Sequence, residues 1–369
     1  MIIISTSLFL ISLVFASQAV FGSAQEDDAP RLVRILSIDG GGVRGVIPLT
    51  ILSEIERRTG KPISESFDVI TGTSTGGIIA LSLSAPADDG TGPRYTADEL
   101  LALYTTRGEE IFGSKHKNYF SFGGLLRPRY SSKGLESLSV ELLGSTALSS
   151  SLVPVAVTAF DIRHDAPIVF ESQRAKLDPG ENFLMKDVAI GTSSAPTYFP
   201  PKRMESFYGQ ECCVVDGGVV QNNPSLVGYS LAKEIYPRAQ DVLLVSLGTG
   251  KISAPLDDER MKDAGATTWI KPIVTMGING VASLVDDQMR RLVSSSSSGS
   301  IIGVSERYFR LQPDIPEKLG ALDKTTPEHV AALLEVARGF VNENQEKIES
   351  LAGILSRPIR STPIASVHA

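Results

Sequence analysis

Only two cysteines occur in 369 residues, side by side at Cys212 and Cys213. Adjacent positions lie poorly for an unstrained bridge, so no disulfide framework is available and the pair reads as core thiols. The fold must stand on its hydrophobic core, which this length permits. Histidine is also sparse: His116, His164, His329 and His368 are isolated from one another and from the cysteines. No metal-ligand spacing results, and neither a structural metal nor a cofactor is expected. Positive charge is not in excess either. The formal net charge is −7 and the basic residues are scattered, which argues against nucleic acid as a partner, because a phosphate backbone needs a basic surface. No internal repeat is evident and no linker splits the chain.

What remains is ordinary globular material, 42% hydrophobic and 21% charged, enough for one large α/β domain. Residues 1–24 carry no charged side chain; an apolar core leads to small residues at Gly22 and Ala24, then to Glu26, Asp27 and Asp28. This resembles a secretory signal peptide at 1–24 with a short acidic leader at 25–30, and it implies the secretory pathway, with an extracellular or vacuolar destination. An uncleaved membrane anchor is the alternative, since the run approaches the roughly 20 residues that a bilayer span needs.

Beyond the leader, strand, sharp turn and helix recur twice. An apolar strand is expected at 31–38 and a helix at 46–59, with Ile47, Ile51, Leu52 and Ile55 on one face, Pro48 in its first turn and Gly60 as its stop. A second strand is expected at 67–71, followed by a buried helix at 77–83. Further helices are expected at 97–105, 132–143, 184–192 and 224–235, and a hairpin from 153–161 and 166–171. Short strands are expected at 212–215, 242–247 and 308–311. Thr326 and Pro327 read as N-cap and N1 of a last amphipathic helix. The alternation argues for one α/β/α layered domain with a mostly parallel sheet, here bounded at 31–346 with a C-terminal tail at 347–369. The serine run at 294–298 reads as a flexible surface loop.

Two glycine-rich turns sit where the strands end. In Gly72-Thr73-Ser74-Thr75-Gly76 the flanking glycines relieve crowding and leave the Ser74 hydroxyl exposed at a helix N-terminus, as a nucleophile requires. In Asp39-Gly40-Gly41-Gly42-Val43-Arg44-Gly45 successive glycines can turn backbone amides toward a developing negative charge. The same string fits a dinucleotide fingerprint, but that fingerprint expects an acidic residue at the end of the next strand, and this strand leads into Ser74.

The base is harder to place. None of the four histidines has a supporting motif. Asp216 ends an apolar run and is followed by Gly217 and Gly218, which permit a sharp turn. A turn or helix-cap aspartate is the competing explanation.

Taken together, Asp39 to Gly45, Gly72 to Gly76 and Asp216 to Gly218, with Asn222-Asn223-Pro224 just downstream, resemble the patatin-like phospholipase family. The likeness runs from about Arg31 to about Glu346. It implies a three-layer α/β/α fold with a central, mostly parallel sheet and a Ser-Asp dyad: Ser74 as nucleophile, Asp216 as base, and Gly40, Gly41, Gly42, Arg44 and Gly45 as the oxyanion hole. Asp39, Gly72, Gly76, Gly217 and Gly218 support the motifs. It further implies a calcium-independent lipid acyl hydrolase acting on phospholipids, galactolipids or other acylglycerols. Two alternatives stay open: an α/β-hydrolase with a Ser74, Asp216 and His329 triad, and a storage or defence protein that keeps the scaffold. A lipid-interface contact is expected from the aromatic and basic stretch containing Lys115, Lys117, Tyr119, Phe120, Phe122, Leu125, Leu126 and Arg127.

Overall fold

The computed structural model of the protein describes residues 32–124, 126–239, 241–253, 255–295 and 307–357. The expected signal segment, the acidic leader, residues 296–298 of the serine run and the tail from 358 onward lie outside the described residues, as do the side chains of Tyr119, Phe120, Phe122 and Leu125.

Eight strands form one sheet. They are β1 (Leu32–Ile38), β2 (Val69–Thr73), β3 (Val155–Asp161), β4 (Ala166–Glu171), β5 (Lys202–Glu205), β6 (Glu211–Asp216), β7 (Asp241–Leu247) and β8 (Tyr308–Leu311). The order is β5-β6-β3-β2-β1-β7-β8, with β4 paired to β3 off this path. From β3 to β8 the neighbours are parallel. At the other side the β3–β4, β3–β6 and β5–β6 pairings are antiparallel. The mostly parallel sheet expected from the sequence is therefore present, and 166–171 does fold back on β3 as a hairpin. The short edge strand β5 was not legible: only Met204 among its residues is buried, so no apolar run announces it.

The helices that matter below are α1 (Val46–Thr59), α2 (Thr75–Ser84), α3 (Ala97–Thr106), α4 (Lys133–Leu143), α5 (Met185–Thr192), α6 (Gly218–Gln221), α7 (Ser225–Ile235), α8 (Ala266–Ser295), α9 (Pro327–Glu343) and α10 (Gln345–Leu355). Alternation along the central strands sorts them into two layers. Leu36, Ile38, Leu243, Val245 and Leu247 join a core with α1, α2, α3, α4, α5, α9 and α10. Val33, Ile35, Val242 and Leu244 join a second core with α7 and α8 on the opposite face. A sheet covered on both faces needs both sets of side chains apolar, which is why β1 and β7 read as nearly continuous hydrophobic runs.

Three differences from the sequence reading concern the C-terminal half. The long α8 was not expected, because Pro272, Gly277 and Gly280 interrupt its helical pattern. The boundary drawn at 346/347 falls inside α10, whose Ile348, Leu351 and Leu355 are buried in the core. Thr326 does occupy the N-cap of α9 with Pro327 at the first turn, but its side chain makes no capping hydrogen bond.

Candidate active site

Strand register carries two distant side chains to one level. β2 pairs with β3 so that Thr73 faces Thr158. The antiparallel β6 enters from beyond that edge and stops with Asp216 opposite Ala159. Ser74, the next residue after β2, therefore meets the end of β6. Ser74 Oγ donates to Asp216 Oδ2 at 2.6 Å, within the reach that a nucleophile and its base require.

The turn at Ser74 is strained. Its φ of 55° and ψ of −125° lie where side-chain-bearing residues seldom sit, a conformation that costs about 1–3 kcal/mol and persists only when its surroundings fix it. Here the surroundings do so. The Ser74 amide donates to Thr192 Oγ1 at 2.8 Å, and that hydroxyl in turn donates to the Thr158 carbonyl at 2.7 Å. The two flanking glycines are required by close approach: a Cβ on Gly72 would lie 2.1 Å from the Gly76 carbonyl oxygen, and one on Gly76 would lie 2.1 Å from that of Ile38. The chain thus leaves β2, turns sharply and enters α2 with the hydroxyl projecting from the elbow.

Both oxygens of the Asp216 carboxylate are engaged. Its Oδ1 accepts the Gly218 amide at 2.7 Å while Oδ2 faces Ser74, so the turn contact and the contact with Ser74 use different oxygens of one carboxylate. Gly217 lets this turn close against β3, since a Cβ there would lie 2.3 Å from Thr158 Oγ1. Burial pushes the Asp216 carboxyl up to about 6, against the opposing pull of the hydrogen bonds from Ser74 and Gly218. A carboxylate tuned toward neutrality is better matched to taking and returning a proton than an exposed one.

The glycine loop lies beside this pair. A Cβ on Gly40 would be 3.2 Å from Ser74 Cβ and 2.5 Å from Asn222 Oδ1. Not every amide expected to face an oxyanion is free to do so. The Gly40 amide donates to the Asn222 carbonyl at 3.1 Å, that of Val43 to Leu322 at 2.9 Å, and that of Arg44 to the Gly41 carbonyl at 3.2 Å. Among the described residues, the amides of Gly41 and Gly42 donate to no protein acceptor. The first-turn amides of α2 also lack helical partners, by the rule for any helix start, and bring the positive end of its dipole to the same place.

The amides of Gly40 and Arg44, two of those expected to face an oxyanion, are therefore engaged within the protein. Arg44 Nε donates to the Gly41 carbonyl and its Nη1 to that of Gly250, each at 3.3 Å, bracing the loop. Gly45 gives room to α2 and α3: a Cβ there would lie 2.6 Å from Tyr104 Cε1 and 2.7 Å from Thr75 Oγ1.

Asp39 anchors the loop from below. Arg310, on β8, places Nη1 3.0 Å from Asp39 Oδ1 and Nη2 2.5 Å from Oδ2, and Nη1 also donates to Ser246 Oγ at 2.7 Å. Ser246 is joined through Ser225 to Ser37 and Asn223, all buried. This polar network under the loop was missed by sequence reasoning. Its signal was faint: an arginine inside the apolar run at 308–311, and serines at 37 and 246 that pair in register across β1 and β7. Thr192, which fixes the Ser74 amide, was visible only as the end of a helix.

Among the described residues no histidine joins the pair. His329 is buried with Nε2 bonded to nothing, and His164 bonds Asp161 at 2.7 Å. The oxygens of Asp216 are engaged by Ser74 and Gly218 instead. The triad with His329 is thus not assembled. His368 lies outside the described residues.

A family model described as patatin-like phospholipase matches residues 36–227, which include Asp39, Ser74 and Asp216. The chain is 32% identical to patatin-like protein 2 of Oryza sativa subsp. indica over 92% of its own length and 91% of that protein. It is 31% identical to patatin-like protein 2 of Arabidopsis thaliana, over 92% of this chain and 94% of the other. Among solved structures it is similar to VipD from Legionella pneumophila, with a TM-score of 0.38 at 12% identity, covering 86% of this chain and 68% of that one.

Proposed function

The chain belongs to the patatin-like phospholipase family, and on that premise we propose that it cleaves the acyl ester bonds of glycerolipids through an acyl-enzyme on Ser74. The observation that carries this reading is the 2.6 Å contact between Ser74 Oγ and Asp216 Oδ2 at a strained strand-to-helix turn. A serine hydroxyl is a weak nucleophile until a base takes its proton. In the proposed cycle Ser74 Oγ attacks the ester carbonyl carbon as its proton passes to Asp216 Oδ2. The oxyanion that forms is received by the free amides of Gly41 and Gly42 and by the N-terminus of α2. Collapse of this intermediate expels the alkoxide, which takes the proton from Asp216 and leaves the acyl group on Ser74. Water then attacks the acyl-enzyme while Asp216 accepts a proton from it, and the departing Ser74 oxygen recovers that proton as the fatty acid leaves.

Phospholipids, galactolipids and other acylglycerols are the substrates that this reading names, and the cycle asks nothing of calcium. Release of fatty acid from a panel of these lipids, with and without a chelator, tests it. Ser74→Ala is expected to abolish release from every lipid that the unmodified protein attacks, with an unchanged circular dichroism spectrum and no effect of the chelator on the parent. Undiminished hydrolysis by that variant rejects the reading.

A further inference from the structure

One helix has more apolar surface than the fold covers. Val285, Met289 and Val293 of α8 are buried in the core beneath β1, β7 and β8. On the opposite arc of the same helix Ile273, Val274, Met276 and Leu284 are 59%, 58%, 55% and 56% exposed. With Val281 they span roughly 160° of the helix at about 100° per residue.

The position of this surface is as informative as its composition. Arg290 stacks over Tyr308, the first residue of β8, at 5.3 Å. Eight residues earlier, by sequence number, the Ala282 carbonyl accepts a hydrogen bond from Asn223 at 3.3 Å, and the neighbouring Asn222 carbonyl holds the Gly40 amide at the ends of the parallel strands. α8 therefore runs against the direction of those strands. Residues 266–281 extend about 24 Å farther at about 1.5 Å per residue, past the strand ends, at the end of the sheet where Ser74 meets Asp216. The helix packs beside α6, the turn that follows Asp216, whose Val219 is itself exposed.

Charge follows the same division. Between Ala264 and Val285 the sole charged residue is Lys271, in a chain of net charge −7, whereas charges resume at Asp286 and Asp287 where the helix lies on the sheet. A broad apolar arc without acidic residues suits the boundary between headgroups and acyl chains, where no matching hydrogen bonds are demanded.

We propose that residues 266–284 of α8 form the surface on which this protein sits against an aggregated lipid substrate, with the mouth of the Ser74 site facing the same lipid. The proposal rests on the lipid hydrolase reading above. Its occupant is a lipid surface; a second copy of the chain is the rival occupant that the test distinguishes.

The experiment uses the full chain carrying Ser74→Ala, so that vesicles are not consumed, with and without the added pair Ile273→Glu and Met276→Glu. Both added positions are exposed, so circular dichroism should be unchanged. Trp269, the single tryptophan, lies on this helix and reports locally. With phosphatidylcholine vesicles its emission should shift to the blue and the protein should sediment with the lipid, and the Glu pair should reduce binding at least about ten-fold. In the Ser74 background the ratio of vesicle hydrolysis to dissolved-ester hydrolysis should fall to a similar degree. Equal binding by the Glu variant overturns the proposal, as does a parent that binds vesicles without a Trp269 shift, or a dimer that the Glu pair splits. If the Glu pair abolishes binding but the unmodified chain hydrolyses no ester, the docking surface stands and the hydrolase reading falls.

Discussion

Arg310 grips Asp39 with both terminal nitrogens, at 3.0 and 2.5 Å, although the two are 271 residues apart in sequence. Their side chains are 7% and 2% exposed. Burial acts against both charges, and the partner opposes it; Arg310 is held above its ordinary value by Asp39. Because Asp39 immediately precedes Gly40, the pair fixes the base of the loop that passes beside Ser74. A buried ion pair contributes little to net stability when intact, but removing one partner strands the other.

Arg310→Ala is accordingly expected to lower the unfolding free energy by about 3–5 kcal/mol, read from urea denaturation. Arg310→Lys keeps the charge but not the planar fork. It should fold, and should lower kcat for a dissolved p-nitrophenyl ester while KM changes less than about two-fold. A lysine variant with full kcat would show that the loop does not depend on the bidentate grip.

In the proposed cycle Asp216 sets the pH dependence. Its carboxyl stands at about 6, and the base must be ionised to accept the Ser74 proton. Turnover of a dissolved ester should therefore fall on the acid side with an apparent pKa near 6 and a slope of one proton. A kcat/KM that stays flat from pH 8 to pH 4 is incompatible with Asp216 as the base.

The same residue places function and stability in opposition. Its folded value of about 6 exceeds the ordinary 3.8, so the native state binds this proton more tightly than the unfolded chain does. Its contribution to stability is greatest below pH 4 and is lost as pH rises through 6. Asp216→Asn removes that loss: the variant should be inactive yet more stable than the parent at pH 7, by up to about 3 kcal/mol. The difference should close as pH falls from 6 to 4. Thermal unfolding at the two pH values checks the sign, and a variant destabilised equally at both contradicts it.

Two glycines allow a paired test of local packing. Gly76→Ala forces a Cβ to 2.1 Å from the Ile38 carbonyl oxygen and should destabilise by about 1–3 kcal/mol or more. Gly339, inside α9, has nothing within 4 Å of a Cβ, so Gly339→Ala should stabilise by about 0.5–1 kcal/mol. Urea midpoints that move the same way for both would refute this account of the elbow.

Much of the layered fold was legible because its cues are local. β1 and β7 are apolar on both faces, α1 carries its stripe and ends at Gly60, and the glycine turns mark where strands stop. What was hidden depends on distant partners. Three successive glycines offer three amides, but one of them, that of Gly40, is taken up by the Asn222 carbonyl, far along the chain. The inner half of α8 packs like any core helix, but Pro272 and two glycines mask the outer half. The antiparallel course of β6, which brings Asp216 level with Ser74, has no signature in its own residues.

The most direct test is chemical trapping of the acyl group. The protein is mixed with a slowly hydrolysed p-nitrophenyl ester, quenched in acid and analysed by peptide mass spectrometry. The account predicts one acyl adduct, on the peptide containing Ser74, absent from Ser74→Ala and strongly reduced in Asp216→Asn. An adduct on another residue, or ester turnover that persists in Ser74→Ala, contradicts it.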